Sequence, residues 1–128
     1  MNERVKVKTD NHIVVKSFDF SVCIVNLCKY LQSEKKEYIL SKQLLRSGTS
    51  IGANVNESQA AQSTKDFIAK LSIASKEARE TKYWIDLLTE TDYLPKEHTK
   101  VRELQNQNME LIKILTSIIK TTQENQNG

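Results

Sequence analysis

Few side chains in this 128-residue sequence have the type and spacing that chemistry needs. The two histidines, His12 and His98, stand far apart, and neither has a cysteine or acidic cluster at metal-ligand spacing beside it. Neither an H-E-x-x-H run nor a Glu-x-x-His pair occurs, so a helical-bundle core would lack the ligands that such metal sites use. Cys23 and Cys28 lie five residues apart. On one helix they point about 140° away from each other and cannot pair, so they read as small core or near-core residues in a reducing compartment. Glu77 and Glu80, at i and i+3, have the spacing to hold a divalent cation. Salt bridges to Lys76, Arg79 or a neighbouring helix are the commoner fate of such a pair. Gly48 and Gly52 follow no strand, which makes them packing glycines before phosphate-cradling ones. No catalytic residue, metal site or cofactor is expected, and an enzyme ranks last among the functional readings.

A polar stripe has more to offer. Arg46, Ser50, Asn54 and Glu57 fall on one flank of a helix at 100° per residue, beside its inward seam. A partly buried stripe has to satisfy its own hydrogen bonds, and Arg46 needs a carboxylate, for which Glu77 and Glu80 are the candidates. The stripe reads first as a structural network, then as part of a subunit interface, and last as a ligand contact. Trp84 lies about 120° off the seam of its helix, either at the edge of the core or as an interface anchor.

The elements that carry these residues are helices. Three glycines and one proline are too few for a loop-rich or β-rich fold, and the length suits one domain. Phe67, Leu71, Ala74, Ala78, Thr81, Ile85 and Leu88 are spaced 4-3-4-3-4-3, the seam of a bundle helix. Ser63 or Thr64 can cap its start, and Pro95 limits how far it runs. Leu40, Leu44, Ser47, Ile51, Val55 and Ser58 point inward from the second helix. Phe20, Ile24, Leu27 and Leu31 do so from the first, and Val101, Leu104, Leu111, Leu115 and Ile118 from the fourth. The expected fold is an all-α, up-and-down antiparallel four-helix bundle. Its helices span about 14–33, 38–62, 64–91 and 95–122, within one domain of residues 1–128 whose N-terminal tail and C-terminal end are flexible. Gly48 and Gly52 either break the second helix or let a neighbouring backbone approach a continuous one. Continuity is favoured, because the apolar period stays in phase across them.

No run of about 18 apolar residues offers a membrane span, and the N-terminal residues lead into no apolar signal segment. The chain reads as cytoplasmic. Residues 1–50 hold nine basic and five acidic residues, while the remainder is near balance, so the basic excess of the chain lies in its N-terminal half. The candidate contacts for an anionic partner are Arg4, Lys6, Lys8, Lys35, Lys36 and Lys42. Aromatic residues do not interleave with them as on single-strand stacking platforms, so binding is expected to be led by electrostatics and shape.

The run Arg46-Ser47, Ser50-Ile51-Gly52-Ala53-Asn54 and Glu57 is followed by Asp66-Phe67, Lys70-Leu71, Ile73-Ala74, Lys76-Glu77-Ala78, Glu80-Thr81 and Tyr83-Trp84. In that order these residues resemble the bacterial four-helix-bundle family encoded in intervening sequences of large-subunit ribosomal RNA genes, a ribosomal-protein-like family, over about residues 14–120. That family is in turn similar to the accessory variability determinant of diversity-generating retroelements. The resemblance implies an up-and-down bundle that assembles into a ring-like homopentamer. For the retroelement branch it implies a basic surface that engages RNA and a reverse transcriptase, and for the other branch an association with ribosomal RNA.

The first helix adds an independent reason to expect assembly. A second apolar stripe, Val14, Phe18 and Val25, lies about 100° from its seam, and a soluble monomer tends not to leave such a strip bare. The oligomer interface is therefore assigned to Val14, Phe18, Val25 and Trp84. The leading expectation is a non-enzymatic homo-oligomer docking RNA or an RNA-associated protein through a basic surface. The alternative is a protein-only interaction scaffold whose charges merely solvate it.

Overall fold

Four helices account for almost all of the structure: α1 (Glu3–Ser33), α2 (Leu40–Ser58), α3 (Thr64–Glu90) and α4 (Thr99–Asn127). The computed structural model describes residues 3–127, and the side chains of residues 12–126. No strand occurs among the described residues. Successive helices pack on one another and α4 returns to α1, which closes a four-helix bundle. The α2–α3 contact is the most extensive and the α1–α4 contact the slightest.

The seam read from the spacing of the third helix is the core of the fold, with all seven of its residues buried. Opposite it lie Phe20, Ile24 and Leu31 of α1, Leu44, Ile51 and Val55 of α2, and Leu111 and Leu115 of α4. Two buried hydroxyls meet between α2 and α3, where Thr81 Oγ1 and Ser47 Oγ lie 3.0 Å apart.

Helix ends differ from the expected ones for local reasons. α1 starts at Glu3, earlier than the start expected near residue 14. No glycine or proline stands between Glu3 and Ser33, so nothing in the backbone stops the helix. At the other end α4 runs to Asn127, past the fraying expected after about residue 122, again with no breaker before Gly128.

The second helix is shorter than 38–62 at both ends. At its start the buried Glu37 side chain caps α2 from the preceding turn. Its Oε2 accepts the N–H groups of Ile39 (3.2 Å) and Leu40 (3.0 Å), and its Oε1 that of Ser41 (2.7 Å). Three donors orphaned at a helix start are thereby satisfied by one carboxylate. At its end, Gln59, Ala60 and Ala61 turn more tightly, each donating to the carbonyl three residues back. The chain then extends at Ser63, whose hydroxyl accepts from Asp66 N at 3.0 Å and caps α3.

The fourth helix begins at Thr99 rather than at Pro95. Pro95 sits in a turn whose carbonyl accepts from His98 N, and His98 Nδ1 in turn accepts from Lys100 N at 3.2 Å. That imidazole is occupied in capping a helix.

α2 is continuous through Gly48 and Gly52, and the reason lies on α1. A Cβ at Gly48 would stand 2.8 Å from Ile24 Cγ1 and Cγ2, and one at Gly52 would stand 3.1 Å from Ser21 Oγ and 3.2 Å from the Ser17 carbonyl. At both glycines α1 lies closer to α2 than an added Cβ would tolerate without displacement. On helix propensity alone, Gly48→Ala should stabilise α2 by about 1 kcal/mol. Ile24 is fully buried and branched at the atoms it presents, so it cannot yield. Gly48→Ala should therefore destabilise the protein by about 1–3 kcal/mol in urea unfolding. A stabilised variant would mean that the α1–α2 spacing is looser than described.

Candidate functional site

The polar stripe forms a ladder along the α2–α3 groove. Arg46 Nη1 lies 3.3 Å from Glu77 Oε1, and Arg46 Nη2 pairs with Glu80 Oε2. Trp84 Nε1 donates to the same Glu80 oxygen at 2.9 Å, and Ser50 Oγ donates to Glu77 Oε2 at 3.3 Å. Asn54 Nδ2 donates to the Ser50 carbonyl at 2.9 Å, and Glu57 pairs with Lys70 at 3.3 Å. The fold thus brings Arg46, Ser50, Asn54, Glu57, Glu77 and Glu80 together, with both α3 carboxylates engaged by partners inside the ladder. Arg46 is half exposed, so each pair is worth little singly, and the ladder sets the register of α2 on α3 more than it adds stability.

Trp84 is half-buried against the core, with its ring edge-on to the exposed Tyr83 at 5.0 Å between centroids. The other assigned interface residues sit on α1 in graded exposure. Val14 packs partly on the core, Val25 is half-buried, and Phe18 is 66% exposed. Val15 and Val22, which the spacing argument left out, are exposed one turn either side of Phe18. They lie nearly opposite the seam of Phe20, Ile24 and Leu31, so the bare stripe sits about 60° further from the core than Val14 and Val25 suggested.

The basic residues divide. Lys35, Lys36 and Lys42 are exposed together at the α1–α2 turn. The backbone of Arg4, Lys6 and Lys8 lies at the far end of α1, about 40 Å away at 1.5 Å per residue, and their side chains lie outside the described residues. The six therefore do not make one patch. Between Lys36 and Lys42 stand Tyr38, 50% exposed, and Ile39, 76% exposed. An aromatic side chain does interleave with the lysines here, contrary to the expectation from the sequence. The turn that places them is tightly built. Lys36 adopts a left-handed conformation (φ 56°), Glu37 N donates to the Leu31 carbonyl at 3.0 Å, and the Glu37 carboxylate holds the start of α2.

Cys28 is buried and its Sγ donates to the Ser41 carbonyl at 3.3 Å. Burial pushes its thiol up to about 11, which keeps it protonated and unreactive. Cys23 is exposed and lines a groove of about 600 Å³ between α1 and α4, together with Leu27, Tyr30, Leu94, Val101 and Leu104. Among the described residues no three His, Cys, Asp or Glu side chains gather as a metal site, and no helix is long and apolar enough to cross a membrane.

Sequence reasoning passed over two residues. Asn108 is fully buried and donates Nδ2 to the Ala78 carbonyl at 2.8 Å, while its Oδ1 has no hydrogen-bond partner. It occupies the empty step between Leu104 and Leu111, and that gap in an otherwise regular seam was its signal. The other is Glu37, whose carboxylate caps α2. An acid three residues before a run resuming apolar spacing was the available sign.

A family model described as 23S rRNA-intervening sequence protein matches residues 9–117. Among solved structures, the chain is similar to a protein with unknown function from the S23 ribosomal protein family of Bacteroides thetaiotaomicron VPI-5482, determined at 1.70 Å resolution. The identity is 53% and the TM-score 0.84, covering 88% of this chain and 98% of that one. No curated protein matches.

The α1–α2 turn has a pH dependence that tests how it is held. Burial pushes the Glu37 carboxyl up, but the backbone N–H groups of Leu40, Ser41 and Ile39 and the Ser41 hydroxyl outweigh it and leave the group below the ordinary carboxylate range. A group whose folded value is lowered contributes stability above its unfolded value and loses it as pH falls through the folded one. Glu37→Gln should therefore cost about 0.5–2 kcal/mol at neutral pH and flatten the acid limb of the stability curve. Equal acid limbs in the variant and the parent would remove the turn from this account.

Proposed function

The chain belongs to the 23S rRNA-intervening sequence protein family, and from that premise we propose that it is a non-enzymatic homo-oligomer that docks RNA, or a protein bound to RNA, through a basic surface. The observation that carries the reading is the outward face of α1. Phe18 is 66% exposed and flanked by exposed Val15 and Val22, on a helix whose opposite face already fills the core. A surface of this kind is covered in solution, and a second copy of the chain is the cover always at hand.

Trp84 and the α1 stripe lie on different sides of the bundle. Contact between different patches on successive copies is heterologous, and it closes into a ring when the rotation allows. The resemblance of the sequence favours five copies. The docking surface is the lysine group at the α1–α2 turn, where Lys35, Lys36 and Lys42 stand against the exposed Glu34, the Glu37 carboxylate being engaged in the turn. Arg4, Lys6 and Lys8, toward the other end of α1, are the remaining candidate contacts. An RNA-bound partner such as a reverse transcriptase is the protein form of the same docking.

Light scattering at micromolar concentration should give a multiple of the 14.7 kDa chain mass. Phe18→Glu should return it to that mass with its helical circular dichroism intact. A wild-type monomer ends the ring, and loss of helicity in the variant places Phe18 in the core. For docking, affinity for a structured ribosomal RNA fragment should fall steeply with salt, and replacing Lys35, Lys36 and Lys42 by alanine should flatten that slope. An oligomer with no salt-dependent RNA affinity is the protein-only scaffold instead.

A further inference from the structure

The fold invests in the α1–α2 turn in a way that chain reversal alone does not require. A buried carboxylate and a left-handed Lys36 hold six residues in one conformation, yet the two side chains set at its crest, Tyr38 and Ile39, point to solvent at 50% and 76% exposure. A turn needed only for reversal would place polar residues there. The surrounding charge is one-sided. Lys35, Lys36 and Lys42 are exposed beside the pair, and of the two acids in the turn only Glu34 is exposed and outside the cap. The α3–α4 connection at the same end brings no such excess. Its Lys96, Lys100 and Arg102 are matched by Glu90, Asp92, Glu97 and Glu103, and Lys96 pairs with Glu90 at 3.0 Å.

We infer that this turn is a contact site for single-stranded RNA, with the Tyr38 ring stacking on a base, Ile39 packing beside it, and Lys35, Lys36 and Lys42 neutralising adjacent phosphates. The inference rests on the RNA-docking reading above and narrows its partner from RNA in general to unpaired RNA. The chemistry selects that partner. A membrane surface or an acidic peptide would satisfy the lysines, but neither offers planar faces to a phenol ring on a rigid crest. Base stacking on an aromatic side chain tolerates any sequence, because every base has a π-face. A duplex keeps its bases stacked inside and presents phosphates, 2′-hydroxyls and base edges, but no base faces, to such a crest. One aromatic and three cations make a short contact, of the scale of a loop or bulge.

Fluorescence anisotropy on the intact, assembled protein tests this, with a labelled oligouridylate of about 12 nucleotides and an RNA duplex of about the same length as probes. The single strand should bind more tightly than the duplex. Tyr38→Ala should weaken single-strand binding about tenfold and leave the salt slope unchanged, while Tyr38→Phe, which keeps the ring, should bind as the parent does. Substituting the three lysines by alanine should reduce the salt slope by about two, the mark of lost phosphate contacts. Ile39→Asp, at a side chain with little packing to lose, should weaken binding in the same direction and serves if Tyr38→Ala does not fold. Equal affinity for the duplex, or single-strand binding indifferent to Tyr38→Ala and Ile39→Asp, overturns the stacking contact while leaving RNA docking standing. Absence of binding to either RNA overturns both. Binding to phosphatidylserine vesicles in place of RNA does so as well and assigns the lysines to a lipid surface.

Discussion

The two missing side chains at Gly48 and Gly52 set the geometry on which the rest of this bundle depends. Ile24 occupies the space that a Cβ at position 48 would need, and the Ser17 carbonyl and Ser21 hydroxyl close on position 52. Interhelical distance depends on the side chains at the contact, so a helix without them lets its neighbour come closer. Two consequences follow for α1. Its seam is held deep between α2 and the core, with Phe20, Ile24 and Leu31 buried. Its opposite face, with Val15, Phe18 and Val22, is turned directly away, out of reach of any helix in the same chain.

Close packing on one side of α1 leaves less on the other. The α1–α4 contact is the slightest of the four, and a groove of about 600 Å³ runs along it. α4 is held mainly by α3, and there the seam contains Asn108, fully buried with one amide hydrogen bond to the Ala78 carbonyl and an unpartnered oxygen. A buried amide is costly relative to leucine, and its hydrogen bond forms only in one axial position of α4 on α3. The bundle thus fixes register by polar contacts at two joints, Asn108 between α3 and α4 and the Arg46–Glu77–Glu80 ladder between α2 and α3, and by direct backbone approach at the third.

Much of this was legible in the spacing of residues. The 4-3 repeat of α3 is long and unbroken, so it specified the core residue by residue, and in-phase apolar positions across Gly48 and Gly52 argued for a continuous α2. Arg46 was matched to its acidic partners because a stripe at fixed angle has only one facing helix able to supply carboxylates. The misses share a physical cause. Helix ends depend on single hydrogen bonds, such as those of Glu37, Ser63 and His98, which leave little periodic trace. Exposure of Tyr38 and Ile39 follows from the left-handed Lys36 and the Glu37 cap rather than from any periodicity, so the lysines of the turn looked unaccompanied by aromatic residues. The extension of α1 to Glu3 was hidden because Val5 and Val7, the only apolar residues between Glu3 and Asn11, are two apart and show no helical repeat.

The separation of the two bare surfaces bears on how so weakly charged a chain would engage RNA in the proposed docking. A net charge of +3 per chain, with three exposed lysines at the turn, supports few phosphate contacts and hence modest affinity. The apolar stripe runs along the flank of α1, whereas the turn caps its end, so assembly through the flank leaves the turn free. In the proposed ring, cyclic symmetry sets every copy's α1–α2 turn on the same face, at equal spacing. A strand held by one turn then meets the next at high effective concentration, and the weak contacts multiply without any new residue. Self-association and RNA docking are in this reading one property: the exposed Phe18 supplies through copy number the affinity that the composition of a single chain withholds.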